Sequence, residues 1–261
     1  MTATPAESTA AAIARLGPWF HNLHLPGGME TAPDHPLGDF PLYKWRVLAN
    51  LLPQNLAGWR ALDIGCNAGF YSFELARRGA IVTGIDVDQH YLEQARWAAR
   101  EFGLEHAIEF RRQQVYELVR EAEPFDLVLF MGVFYHLRYP LLGLDIVARL
   151  VRQVLVFQSL TVPGDGVAPV EEDRPLDDRQ ALARADWPSL AFIERCMAGD
   201  PTNWWVPNHA AVEALLRSSG LHVVQRPGHE IYLCEPGPAQ SADAPPYDIT
   251  PELLAATGAR H

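Results

Sequence analysis

Residues Trp59–Asp86 read WRALDIGCNAGFYSFELARRGAIVTGID, a run of strand, glycine turn, helix and strand that decides the class of the fold. Ala61–Ile64 is apolar except for Asp63, the pattern of a strand buried on both faces. Gly65 and Gly69 bracket a turn whose backbone can approach a ligand with no Cβ in the way. Phe70–Arg78 carries apolar residues at helical spacing, and Gly79 stops the helix where a glycine is favoured. Ala80–Ile85 is a second strand that delivers Asp86 at its carboxyl end. In a doubly wound sheet a short acid at that place reads ribose hydroxyls. The unit is a nucleoside-binding βαβ half.

The glycines select the nucleoside. A dinucleotide site wants G-x-G-x-x-G aimed at a pyrophosphate. Here the turn is Gly65-Cys66-Asn67-Ala68-Gly69, with Asp63 two residues ahead of it. A carboxylate there repels a pyrophosphate and suits an ammonium group. S-adenosylmethionine, with a sulfonium, an α-amino group and no phosphate, fits that description. The D-x-G-C-N-x-G motif with Asp86 after the next strand resembles motif I and its partner acid in the class I methyltransferases; the competing reading is a glycine turn in another α/β fold. The resemblance implies an α/β, Rossmann-like fold: a seven-stranded, mostly parallel sheet with helices on both faces. It also implies S-adenosyl-L-methionine as cofactor and S-adenosyl-L-homocysteine as product. Expected cofactor-binding residues are Asp63, Gly65, Cys66, Asn67, Gly69, Asp86 and the adjoining Val87, with Gln114 and Val115 framing adenine. Asp63 serves the amino end directly or by holding the turn. Asn67 either hydrogen-bonds locally or holds the turn, and Cys66 is a small packed residue.

A second signal follows the fourth strand: Met131-Gly132-Val133-Phe134-Tyr135-His136-Leu137-Arg138-Tyr139-Pro140. This M-G-V-x-Y-H run, a basic residue and Pro resemble the family of the tRNA wobble-uridine carboxymethyltransferases. So do Lys44-Trp45, Gly199-Asp200 and Asn203-Trp204-Trp205-Val206-Pro207-Asn208. The resemblance implies that Lys44 and Tyr135 reach the cofactor's carboxylate end and that Met131 and Gly132 lie beside the transferable methyl. A sulfonium methyl is already activated, so transfer needs alignment and, for a weakly acidic acceptor, one base. His136 is the candidate base because imidazole titrates near neutrality; the alternative is a hydrogen bond within the loop. Tyr135 either binds the methionine carboxylate or walls the pocket. Asn203, Trp204 and Trp205 are candidate acceptor contacts, the tryptophans either stacking on the acceptor or forming cap core.

Two departures from the carboxymethyltransferases stand out. The chain shows neither their long N-terminal extension nor a basic surface, and its clusters Arg77-Arg78 and Arg111-Arg112 read as solvated edges. A formal charge of -11 weighs against a polyanionic partner. The favoured acceptor is therefore a small molecule or saccharide-like, with tRNA wobble uridine and a catalytically silent cofactor-binding subunit as alternatives. A nicotinamide oxidoreductase would need the phosphate-binding turn that the Asp63–Gly69 segment lacks.

At 261 residues the chain is long enough for one elaborated α/β domain. Three scattered cysteines, without C-x-x-C, suggest a reducing compartment and no structural metal. No signal peptide is expected in 1–16, nor any apolar run of roughly 18 residues to span a membrane, so a cytoplasmic protein is expected. Helices are expected at 43–52, 88–102, 114–121, 141–150 and 209–219. Strands are expected at 107–111, 125–130, 153–158, 222–226 and 230–234. Outside the minimal fold, 1–42 is expected as an arm over the cofactor mouth, and the methyltransferase domain occupies 43–235 with a cap inserted at about 161–208. The remainder, 236–261, is a tail lying on the surface or on a partner subunit of a homodimer. His21, His24 and His35 lack a metal-binding carboxylate spacing and read as turn chemistry.

Overall fold

The computed structural model describes residues 7–171, 173–228, 230–237 and 248–258. The start of the expected arm (1–6) and half of the expected tail (238–247 and 259–261) lie outside the described residues. Compactness divides the chain after Gln114 into two units.

In the first unit, α1 (Thr9–Arg15) and α2 (Phe40–Leu48) precede β1 (Arg60–Ile64), α3 (Phe70–Arg77), β2 (Ile81–Asp86), α4 (Gln89–Phe102) and β3 (Ile108–Arg112). The strands run parallel in the order 3-2-1. Helix α2 begins three residues before the expected Tyr43, because Pro41 stands in its first turn, where its missing N–H costs nothing, and it ends at Leu48, short of the expected Leu52. Helix α4 is capped by Asp88, whose carboxylate accepts the His90 N–H at 2.8 Å, and it stops at Gly103 in the left-handed region. The arm packs on this unit. Trp19 meets Trp97 at 5.7 Å, and Gln94 donates to the Leu16 and Pro18 carbonyls.

In the second unit, a 3-10 turn (Val115–Arg120) leads into β4 (Phe125–Met131) and the 3-10 turn Phe134–His136. Then come α5 (Pro140–Ala148), β5 (Val151–Gln158), β6 (Leu190–Phe192), β7 (Trp205–Pro207), α6 (His209–Ser218), β8 (Leu221–Gly228), β9 (Ile231–Pro236) and α7 (Thr250–Thr257). Every residue of β4 is buried, including Asp126, whose carboxylate accepts from Arg152 and Gln153 at 3.1 Å each. Strands β4 and β5 are parallel, while β9 and β8 follow antiparallel as the expected closing hairpin. The core of this unit is an aromatic stack: Phe157 touches Phe130, Phe134 and Tyr232 edge-on, with centroids 5.3–6.1 Å apart. The segment expected as a cap holds the small β6–β7 hairpin. Asn208 ties this segment down by donating to the Ala185 and Trp187 carbonyls. Seven strands make one mostly parallel sheet, the architecture expected of a class I methyltransferase.

Candidate functional site

The first unit places the glycine turn against the carboxyl end of β2. The Gly65 and Cys66 N–H groups both donate to the Ile85 carbonyl, at 2.8 and 2.9 Å. Asn67 adopts φ +49° and Gly69 φ +90°, and the Gly69 N–H closes the turn on the Cys66 carbonyl at 2.8 Å. A Cβ on Gly69 would lie 2.8 Å from the Phe73 ring, so this glycine is required by packing as well as by φ. The Asn67 N–H donates to Asp86 Oδ2 at 2.9 Å, and its own side-chain oxygen accepts from Ala68 N–H at 2.7 Å. Asn67 thus holds the turn and hydrogen-bonds locally at once. Asp86 Oδ1 accepts from Asp88 N–H at 2.9 Å. The Val87 N–H also acts on this carboxylate, so its two oxygens are oriented by three backbone donors and have acceptor capacity for four bonds. Burial pushes this carboxyl up, against the pull of the donated N–H groups.

Asp63 is buried beneath the turn and accepts the Ser72 hydroxyl at 2.7 Å. Burial pushes its carboxyl up to about 6, the Ser72 bond working against that and the Asp86 charge with it. This contact holds α3 to β1. Cys66 is fully buried and its thiol is pushed up by that burial, so it is packed and unreactive. Lys44 lies on α2 with its ammonium 5.6 Å from the Phe40 ring. Val87 is exposed, and its carbonyl accepts from Arg112 Nε at 3.1 Å. Gln114 is exposed at the end of the unit.

Two polar groups near this turn escape sequence reading. His21, on the arm, is buried with its ring 6.1 Å from Tyr71 and 6.5 Å from Phe70 in the first turn of α3. Its Nδ1 and the Tyr71 hydroxyl have no hydrogen-bond partner among the described residues. Burial, and then the Lys44 charge, push His21 down to about 3, so it is neutral. Such orphans are uncommon in native interiors and point to a ligand or ordered water. In sequence His21 reads only as turn chemistry of the arm, and Tyr71 as one more apolar helix residue.

In the second unit, Val115 is buried at the start of its 3-10 turn, and β4 ends on the buried Met131. Gly132, at φ +72°, donates to the Gln158 carbonyl at 3.1 Å. A Cβ there would lie 3.8 Å from both the Tyr135 hydroxyl and Gln158 Oε1, so those polar ends converge over the glycine. Burial pushes Tyr135 up to about 12, helped by Glu230 and Asp200, so its hydroxyl stays protonated. Its ring lies 4.2 Å from that of His136. His136 Nδ1 stands 2.9 Å from Thr202 Oγ1, and Asp200 accepts the Thr202 hydroxyl at 2.6 Å. Glu230 accepts the Thr161 N–H at 2.8 Å and Gln158 Nε2 at 3.3 Å. Thr202, Glu230 and Gln158 were missed: their partners are 66 to 72 residues away in sequence, beyond any spacing rule.

The Trp204 N–H donates to the Tyr135 carbonyl at 2.9 Å, fastening the 161–208 segment to the loop after β4. The Trp204 ring stacks on Phe192 at 6.3 Å, and the Arg138 guanidinium lies 4.7 Å from Trp204. Trp205 packs on Phe192 at 4.9 Å. Asn203 donates to the Met197 carbonyl at 2.8 Å, while its Oδ1 and Trp205 Nε1 are buried without a partner among the described residues.

Comparison with known proteins gives this arrangement its class. Residues 61–154 match the family described as a methyltransferase domain. The chain is 32% identical over 201 residues to a tRNA U34 carboxymethyltransferase of Alcanivorax borkumensis, covering 72% of this chain and 57% of that protein. It is 42% identical over 86 residues to a ubiquinone biosynthesis O-methyltransferase of Hahella chejuensis, covering 33% of this chain and 35% of that one. The chain thus spans a third to just over half the length of these curated relatives. Its fold is similar to the crystal structure of the N-terminal domain of EvdMO1 in the presence of S-adenosylhomocysteine and D-fucose. The TM-score is 0.56 at 20% identity, covering 87% of this chain and 94% of that one. By its matched domain and its sheet, the chain resembles the class I methyltransferases, the tRNA U34 carboxymethyltransferases among them.

Proposed function

We propose that the chain is an S-adenosylmethionine-dependent methyltransferase acting on a small-molecule or saccharide-like acceptor. The observation that carries the cofactor reading is Asp86. Both its oxygens are oriented by backbone N–H groups, and the carboxylate keeps acceptor capacity for a ribose hydroxyl. The orphaned Tyr71 hydroxyl and His21 Nδ1, with Lys44 and the buried Asp63, suit the zwitterionic methionine end. Met131, Gly132 and Tyr135 are further proposed cofactor contacts, with Val87, Gln114 and Val115 at the adenosine. Bound there, the cofactor would supply an activated sulfonium methyl. The protein's own tasks are then to align the acceptor and, where it is weakly acidic, to take its proton on His136.

Two features support a neutral or cationic acceptor. The formal charge is -11, and the Asp200 and Glu230 charges both act on Tyr135, beside His136. Asn203, Trp204 and Trp205 are proposed to face that acceptor. The alternative, wobble uridine of tRNA, is supported by the resemblance over 72% of the chain. Titration calorimetry tests the cofactor: S-adenosylhomocysteine should bind and NAD should not, and the reverse result ends this reading. Incubation of cell extract with labelled S-adenosylmethionine separates the acceptors and the catalytically silent alternative. Label in a small-molecule or glycan fraction supports the proposal, label in tRNA favours the alternative, and label in neither favours silence.

A further inference from the structure

The loop after β4 contains a chain of hydrogen bonds with only one consistent proton arrangement. Asp200 Oδ1 accepts both the Thr202 N–H, at 2.7 Å, and the Thr202 hydroxyl, at 2.6 Å. Its other oxygen stands 3.7 Å from His136 Nδ1. Burial acts to raise the Asp200 carboxyl, but the Thr202 hydroxyl and amide and the His136 ring outweigh it and hold it below its ordinary value. It is therefore ionised at neutral pH and can only accept. A hydroxyl has a single proton, and Thr202 gives it to Asp200. Toward His136, 2.9 Å away, the Thr202 oxygen can then only accept. The proton of the His136 ring must accordingly lie on Nδ1, and a neutral ring carries its lone pair on Nε2. The ring is neutral because burial holds it below its ordinary value, despite the opposing Asp200 charge and a hydrogen bond to the Thr202 backbone. The ring of Tyr135, which stays protonated and itself faces Glu230, also lies against it.

We propose, resting on the methyl-transfer reading above, that Asp200 and Thr202 are positioning residues for His136. Their carboxylate–hydroxyl relay holds the imidazole as its Nδ1–H tautomer and leaves Nε2 bare to take a proton from the acceptor. The His136 side chain is 31% exposed, so the ring is both oriented and open to solvent. The arrangement stabilises the ring a second time once the proton arrives: the imidazolium keeps its Nδ1–H bond to Thr202 and gains the nearby Asp200 charge. Neither the Asp200-Pro201-Thr202 turn nor His136 alone contains this device, because it exists only where the two are brought together.

The test is long-range proton–nitrogen correlation NMR of the histidine-labelled full chain, with His136 assigned by His136→Gln. In the wild type the neutral ring should appear as one tautomer, protonated at Nδ1. Thr202→Val removes the hydroxyl acceptor and leaves only the backbone one, and Asp200→Ala frees the hydroxyl to donate, so each should lose that single tautomer and show Nε2–H. Thr202→Ser should retain it, which a merely space-filling threonine would not predict. A wild-type ring protonated at Nε2, or a Thr202→Val spectrum unchanged from wild type, overturns the relay. S-adenosylhomocysteine affinity, measured on the same samples, should be the same in Thr202→Val and wild type within about twofold. Failure of the wild type to bind it would count against the methyltransferase reading and leave the tautomer result standing, so the two failures are distinguishable.

Discussion

At the scale of single residues, Asp86 and Asp63 divide the work of one turn. Asp86→Ala removes the acceptor of the Asn67 N–H as well as the proposed ribose contact. Its affinity for S-adenosylhomocysteine should fall by roughly two orders of magnitude, as for a charged group whose hydrogen bonds are each worth about 1.5–3 kcal/mol. Wild-type affinity in that variant, by calorimetry, would remove Asp86 from the site. Asp63 makes a pH prediction. Its folded-state value is raised above its ordinary one, to about 6, so the stability linked to its protonated form is complete below its unfolded value and is lost as pH rises through about 6. In Asp63→Asn that dependence should vanish. The wild type minus variant difference in unfolding free energy should then decline between about pH 4 and pH 6, by on the order of 3 kcal/mol at most. A difference flat with pH would show that Asp63 is not the buried acid described.

At the scale of elements, the turn and the helix after it depend on conformations that only certain residues allow. Gly69→Ala would place a Cβ 2.8 Å from the Phe73 ring at φ +90°, and should destabilise the fold by about 1–3 kcal/mol in urea unfolding. The α4 cap is a milder case. Asp88→Ala loses the bond to the His90 N–H and should cost about 1 kcal/mol, with cofactor affinity little changed. An Asp88→Ala protein as stable as wild type would mean the cap is replaced by water at no cost.

At the scale of the whole molecule, ligand binding and net charge are the properties to measure. S-adenosylhomocysteine at a hundred times its dissociation constant should raise unfolding free energy by about 2.7 kcal/mol, and NAD at equal concentration should leave it unchanged. The charge of -11 should keep tRNA off the chain at physiological salt, and tight binding that weakens steeply with salt would favour the wobble-uridine reading. The βαβ half was legible in the sequence, because Asp63, Gly65, Gly69 and Asp86 act within one local unit whose strand, turn and helix each follow from nearest neighbours. So were the buried β4 and the closing hairpin, since a largely apolar run and glycine stops are local signals. The ends of α2 and α5 were less legible, since Pro41 and Pro140 serve as first-turn residues and read from sequence as boundaries. Tertiary structure alone decided that Tyr71 and His21 are orphaned side by side, that Glu230 holds Thr161, and that Thr202 meets His136. Those partners are separated by about 50 to 70 residues of chain, and a hydrogen bond, which reaches about 3 Å, leaves no periodicity in sequence for such a distance.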